Sequence, residues 1–382
     1  MNTITFSQLI AINGYITCNY IDDIAKGILY FDLKPKLTPG NDLIAIALST
    51  LCGRGNYTSI HFDFPIQEKT IDKIKNFCHC PITASNVIKN KADITKTTNA
   101  LSFSGGFDSL SAKYLMPSKT KLVSMDFGGK FSREKEFFEK FDTHIVTTNV
   151  LETHLKRNSW SFMGIAAILF SDYLSIKYHT FGGILEASPS NLADAPVAAK
   201  NITFPPFAAA TMINAPYTLG ITEIGTAMIM LKYAPDLVQL SLDSLANNGE
   251  TKKYRKQLIS SLVANQLNIN FKINQFDTPN NKWSFGQSFA DDFLAFYFLK
   301  HAGIDALSKM MVDIPEEIIQ LSTKLSLNFF ERINTVFLEY FPASLLPGLL
   351  EKAAYAKVIP YTRQDWDELN QVVGILKKYY KI

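Results

Sequence analysis

The stretch Ala100-Leu101-Ser102-Phe103-Ser104-Gly105-Gly106-Phe107-Asp108-Ser109 decides how this chain is read. A short apolar strand runs into Ser-Gly-Gly-Phe-Asp-Ser, and a helical segment follows through Leu115. Two glycines at a strand-to-helix turn let the backbone bend sharply and bring its N–H groups up to an anion. The hydroxyls of Ser104 and Ser109 add donors, and the helix opening near Asp108 adds the positive end of its dipole. This combination makes a cradle for pyrophosphate, with Asp108 either holding Mg²⁺ or orienting the loop. It has neither the Gly-Lys-Ser/Thr of the Walker loop nor the G-x-G-x-x-G dinucleotide fingerprint. The competing reading is a Gly-rich turn without a ligand.

Working outward, the spacing predicts strands over residues 121–125, 145–148 and 178–181. Between them it predicts a charged helix at 133–141 capped by Ser132 and a long apolar helix at 161–177. Short strands alternating with helices indicate an α/β fold built on a doubly wound parallel sheet. Ligands on such sheets bind beyond the carboxyl ends of the strands. Asp126 sits at such an end, placed for ribose, metal or substrate.

Residues 1–95 read as an N-terminal α+β module, with strands at 4–6, 27–33 and 57–64 and helices at 41–47 and 67–77. The polar stretch 89–99 reads as the connection to a nucleotide domain at 96–260. Residues 186–216 form an Ala/Pro/Asn-rich connection without periodicity. A mostly helical region, 261–382, closes the chain, with helices expected at 293–300, 315–325, 329–340, 344–356 and 363–380.

Of the 382 residues, 47% are hydrophobic and 19% charged, with 28 Phe. Such a chain buries enough apolar surface to offset its conformational entropy, which excludes disorder. The formal charge of +3 is spread without a basic stripe, so general nucleic-acid binding is not expected. The longest apolar run, 162–170, falls well short of the ~20 residues needed to cross a bilayer. No charged region precedes an apolar stretch at the N-terminus, so a cytoplasmic protein is expected. Cys18, Cys52, Cys78 and Cys80 all lie in the first quarter and read as reduced thiols. The six histidines show no metal spacing and read as structural.

Ser-Gly-Gly-x-Asp-Ser after the first strand of the sheet resembles the signature of the PP-loop, or N-type ATP pyrophosphatase, superfamily. Asp126-Phe127-Gly128-Gly129-Lys130, Arg157-Asn158 with Phe162 and Ala166-Ala167, Phe181-Gly182-Gly183 with Glu186, and Pro216 with Glu223 are similar to segments of its 7-cyano-7-deazaguanine synthase branch. The resemblance covers roughly residues 98–256. It implies an adenine-nucleotide α-hydrolase-like sheet and a ligase that binds ATP and Mg²⁺. Such an enzyme adenylylates a carboxylate or amide-type oxygen, releases pyrophosphate, and lets a nitrogen nucleophile displace AMP.

The nucleotide site so implied comprises Ser104, Gly105, Gly106, Phe107, Asp108, Ser109, Met125, Asp126 and Gly183. Asp108, Lys130 and Arg157 would serve catalysis, and Asp108 the metal. Arg157 reads equally as a phosphate contact or a surface arginine.

Departures from that branch are equally informative. The segment Asn248-Gly249-Glu250-Thr251-Lys252-Lys253-Tyr254, with Ser241 upstream, stands where the branch has its zinc cysteines, so no zinc is expected. Lys252, Lys253, Arg255 and Lys256 touch phosphate, cap a helix or form a solvated face. The lysine that faces the outer phosphates falls near Ile221 or Thr222, so another cation must serve. Ala187-Ser188-Pro189-Ser190-Asn191 replaces the stretch that shapes the purine pocket. The acceptor is therefore left open among a carboxylate, a deazapurine and a sugar. Three functional expectations remain: a ligase specialised with a protein partner, as in antiphage operons; an amidotransferase of surface-sugar biosynthesis; or a nucleotide-binding scaffold without turnover.

Overall fold

The computed structural model describes residues 2–92, 94–200, 204–273 and 275–382, without the side chains of Lys130, Glu136 and Phe138. The chain divides into two units of interleaved sequence. One comprises Met1–Ser104, Lys119–Thr180 and Ile202–Ala215; the other comprises Gly105–Ser118, Phe181–Asn201 and Pro216–Ile382.

The first unit is organised by its strands. These are β1 (Thr3–Ile12), β2 (Tyr15–Ile21), β3 (Lys26–Lys34), β4 (Ser59–Phe62), β5 (Ile66–Gln67), β6 (Ile82–Ala84), β7 (Val87–Ile88), β8 (Thr98–Ser102), β9 (Lys121–Asp126), β10 (Thr143–Thr148), β11 (Ile176–Thr180) and β12 (Ile213–Asn214). Ten of them form one mostly parallel sheet in the order β12-β11-β8-β9-β10-β3-β2-β1-β4-β6, while β5 and β7 pair separately. The fold is α/β and Rossmann-like, with sixteen α-helices among the described residues.

Within β12-β11-β8-β9-β10 every pairing is parallel, and the chain order reverses between β8 and β11. A reversal of this kind opens a crevice at the carboxyl ends of the two strands. Beneath it, Ser102 Oγ of β8 lies 3.0 Å from His179 Nε2 of β11. Burial lowers the pKa of that imidazole to about 3, so it stays neutral and ties the two strands.

The N-terminal strands extend this same sheet. β3 pairs antiparallel with β10, placing Ile145 opposite Lys34 and Thr148 opposite Phe31. β1, β2 and β3 form an antiparallel meander that buries Ile4, Phe6, Ile16, Cys18, Leu29, Phe31 and Leu33. The alternation that marked 4–6 and 27–33 as strands is therefore the mark of a half-buried sheet. The helix Ile165–Phe170 packs on β8, β9 and β10, with all six residues buried.

Several elements differ from expectation. β2 was not anticipated. The long helix at 161–177 is a 3-10 turn (Trp160–Gly164) followed by Ile165–Phe170, and the chain then turns at Ser175, φ 51°, into β11. The connection 186–216 contains short helices at Ser190–Ala193, Ala195–Ala199 and Pro205–Ala209.

The second unit is largely helical, with one small ladder, β13 (Trp283–Ser284) against β14 (Met311–Val312). Its core gathers Phe293, Tyr297, Phe329 and Phe330. The helix expected at 329–340 is instead two 3-10 turns, Asn328–Glu331 and Thr335–Leu338. Ile333 and Asn334 spend their backbone N–H groups on Ile359 and Gly220, 3.0 and 2.8 Å away, which breaks the helical ladder between them. The helix Arg363–Leu376 opens on a capping box: the Thr362 hydroxyl accepts from Asp365 N, and the Asp365 carboxylate accepts from Thr362 N at 2.6 Å. No helix among the described residues is long and apolar enough to cross a membrane.

Candidate functional site

Ser104 ends one segment of the first unit and Gly105 begins the second. Gly105 takes φ +79°, which a residue with a Cβ adopts only under strain. Gly106 then occupies the cap position of the helix Phe107–Leu115, and no side chain caps it. The loop is fastened from two sides. Ser241 Oγ donates to Gly105 O at 2.7 Å, and Ser109 Oγ donates to Gly106 O at 3.1 Å. Gly182 passes so close that a Cβ there would sit 2.6 Å from Ser109 N and 2.7 Å from Asp108 C. Only glycine fits at 182.

A charged network lies beside the loop. Asp108, in the first turn of its helix, accepts at Oδ1 from Lys256 Nζ and Thr226 Oγ1, each 3.3 Å away. Lys256 also pairs with Glu223, the first residue of the helix Glu223–Tyr233. Arg255 approaches Glu223 Oε2 at 2.9 Å through Nε, and its Nη1 donates to Asp291 Oδ1 at 2.6 Å. The Lys256 ammonium lies 5.0 Å from the centroid of the buried Phe107 ring. Burial disfavours the charge on Lys256, yet Asp108 and Glu223 outweigh it and raise its pKa. Burial likewise pushes Glu223 towards neutrality, and the adjacent Arg255 and Lys256 charges override it to hold the carboxylate ionised.

Glu186 has the opposite fate. Its side chain is buried, and Oε1 accepts from Glu223 N at 2.7 Å, while Oε2 has no partner among the described residues. Burial first, and the negative Glu223 second, raise its pKa to about 8. Two acids joined by one backbone hydrogen bond thus hold opposite protonation states at neutral pH. Burial and Glu186 together also raise the pKa of the buried Tyr361 hydroxyl.

The remaining residues implied by the resemblance fall as follows. Phe107 is buried at the first position of the helix that follows the turn. Gly183 has room around it, a Cβ meeting only Leu219 Cδ1 at 3.9 Å, and its carbonyl accepts from Thr218 Oγ1 at 2.9 Å.

In the first unit, Met125 Sδ accepts from Ala166 N at 3.2 Å, locking β9 to the helix behind it. Asp126 has both oxygens engaged, with Gly128 N at 3.0 Å on Oδ1 and with Thr147 Oγ1 at 3.0 Å and Lys135 Nζ at 2.8 Å on Oδ2. Burial raises its pKa, but these donors together outweigh that and lower it. Asp126 therefore shapes the turn at Gly128, φ +64°, where the chain leaves β9. Arg157 is exposed on the 3-10 turn His154–Arg157. The Lys130 side chain lies outside the described residues.

Sequence reasoning marked Glu223 and the basic cluster but could not see that Lys253, Arg255 and Lys256 are internal. It missed Asp291 and Thr226 altogether. The one available signal was the i, i+1 pair of cations on a helix whose neighbours Tyr254, Leu258 and Ile259 are apolar. Two histidines also gain partners: Ser102 for His179, and Asp22 for His154, whose Nε2 lies 2.8 Å from Oδ2.

Compared with known proteins, the chain matches no family model, no curated protein and no solved structure.

Proposed function

We propose that the protein is an ATP-dependent ligase of the ATP pyrophosphatase type. It adenylylates a carboxylate or amide-type oxygen, releases pyrophosphate, and passes the activated group to a nitrogen nucleophile. The observation that carries this reading is Lys256. The loop resembles that of enzymes with a cation facing the outer phosphates, the usual position lacks it, and the helix Thr251–Leu267 brings one to Asp108 instead.

The uncapped N–H groups at the head of the helix Phe107–Leu115 suit pyrophosphate, being fixed dipoles that need no reorganisation as charge develops. Asp108 fits a Mg²⁺ role: its side chain is one-third exposed, and both its protein contacts fall on Oδ1. The metal would supply Lewis-acid neutralisation of phosphate charge. Glu223 and Arg255 hold Lys256 in place, and Ser241 and Gly182 hold the turn. No nucleophile from the protein is required.

Incubation with ATP, Mg²⁺ and a panel of carboxylates, deazapurines and sugars tests the proposal. AMP and pyrophosphate in equal amounts are expected, and Asp108→Asn should slow their formation more than it weakens ATP binding. ADP and phosphate as products would overturn it. A second reading, a nucleotide-holding scaffold, draws on the same lysine: two carboxylates already neutralise it, which weakens its grip on phosphate. ATP binding without any bond cleavage across the panel would favour that reading. Specialisation with a protein partner, in antiphage defence, or in surface-sugar amidation follows from the resemblance alone and sets which acceptors to try first.

A further inference from the structure

The second unit carries a cleft of about 780 Å³, inside the size range of small-molecule sites. One wall is the start of the helix Thr251–Leu267, and the other is the segment 280–283 that leads into β13. Gly249, φ +82°, shapes the first wall. Its N-terminal neighbours double back, and Asn280 packs where a Cβ would stand.

Three features of the lining converge on one ligand chemistry. Trp283 lines the cleft and is 43% exposed, so its indole is accessible to a ligand there. Lys252 and Lys282 both line the cleft, and neither lies within ion-pair distance of a carboxylate among the described residues. The helix of seventeen residues points its N-terminus here without a side-chain cap, because the Glu250 carboxylate accepts from Asn247 instead. The two acids in the lining are committed, Glu250 to Asn247 and Asp291 to Arg255 and Ser288. What remains free is cationic and donor-rich, beside an aromatic face.

We propose that this cleft binds a mononucleotide-class ligand, with the phosphate ester held by Lys252, Lys282 and the helix head and the flat base laid against Trp283. A bare anion would leave the indole unused, and a neutral ring would leave the cleft's ammonium groups without a phosphate to meet. Stacking on tryptophan together with cation contacts to phosphate is the usual chemistry for one nucleotide unit. The site does not depend on the ligase reading: it borders the charged network through Arg255 and Asp291 but contains none of residues 104–109 of the Ser-Gly-Gly loop.

Calorimetric titration of the full chain with GMP, UMP and inorganic phosphate tests the proposal. Saturable binding of GMP or UMP is expected, with inorganic phosphate at least tenfold weaker. Trp283→Ala and Lys282→Gln should each weaken binding at least tenfold. Thermal melts verify that the variants fold, and both substituted side chains are exposed. Binding indifferent to Trp283→Ala and Lys282→Gln would overturn the proposal. Phosphate binding as tight as GMP, or no binding of either nucleotide at millimolar concentration, would do the same.

Discussion

Glu186→Gln should stabilise this protein at alkaline pH, although it alters a buried side chain. The native structure holds Glu186 neutral: its pKa rises from 4.5 to about 8 because the group is buried and faces the Glu223 carboxylate. The unfolded chain carries an ordinary glutamate. Between these two values the native state binds the extra proton, so stability falls as pH rises across that window. It is fully present below about pH 4.5 and lost above about pH 8.

A shift of that size corresponds to about 5 kcal/mol over the whole window, as an upper figure. Glutamine does not titrate, and its Oε1 can still accept from Glu223 N. Its amide leaves one buried donor without a partner, a fixed cost of about 1–3 kcal/mol at any pH. The stability of the variant relative to the parent should therefore move in its favour by about 3–4 kcal/mol between pH 5 and pH 8. Urea unfolding of both proteins at the two pH values measures this difference, and the fixed cost cancels. A difference that stays flat, or that favours the parent more at pH 8, would refute the claim that Glu186 is protonated in the folded protein.

Two further substitutions probe the loop and its network. Gly182→Ala places a Cβ 2.6 Å from a backbone nitrogen of the loop helix, and overpacking of that kind costs about 1–3 kcal/mol. A lowered melting temperature together with weakened ATP binding in equilibrium dialysis is expected, and unchanged values for both would show that the close approach is not tight. Lys256→Met leaves Glu223 facing Arg255 alone and removes the cation beside Asp108. Breaking a buried pair in this way costs about 3–5 kcal/mol, read by chemical denaturation. Among molecules that remain folded, ATP affinity should fall as well, and full retention of affinity would remove Lys256 from the phosphate site.

The sequence by itself determined the local elements and the loop. The strands read at 100–103, 121–125, 145–148 and 178–181 overlap those formed at Thr98–Ser102, Lys121–Asp126, Thr143–Thr148 and Ile176–Thr180, and Gly105 and Gly106 announce a sharp strand-to-helix turn through their own conformational freedom. These signals are written in neighbouring residues, because hydrophobic period and backbone freedom act over a few positions. Tertiary structure alone decided what long-range pairing controls. The meander of β1, β2 and β3 joins the parallel sheet through β3 and β10, a pairing that no local pattern specifies. Asp108 and Lys256 meet across 148 positions of chain, and Arg255 finds Asp291 across 36. Read locally, Lys252 to Lys256 is a charged run that water would solvate equally well. Only the fold makes three of its cations internal, because only there do Glu223, Asp108 and Asp291, and for Lys253 Asp243 and Asp277, stand close enough to offset their desolvation.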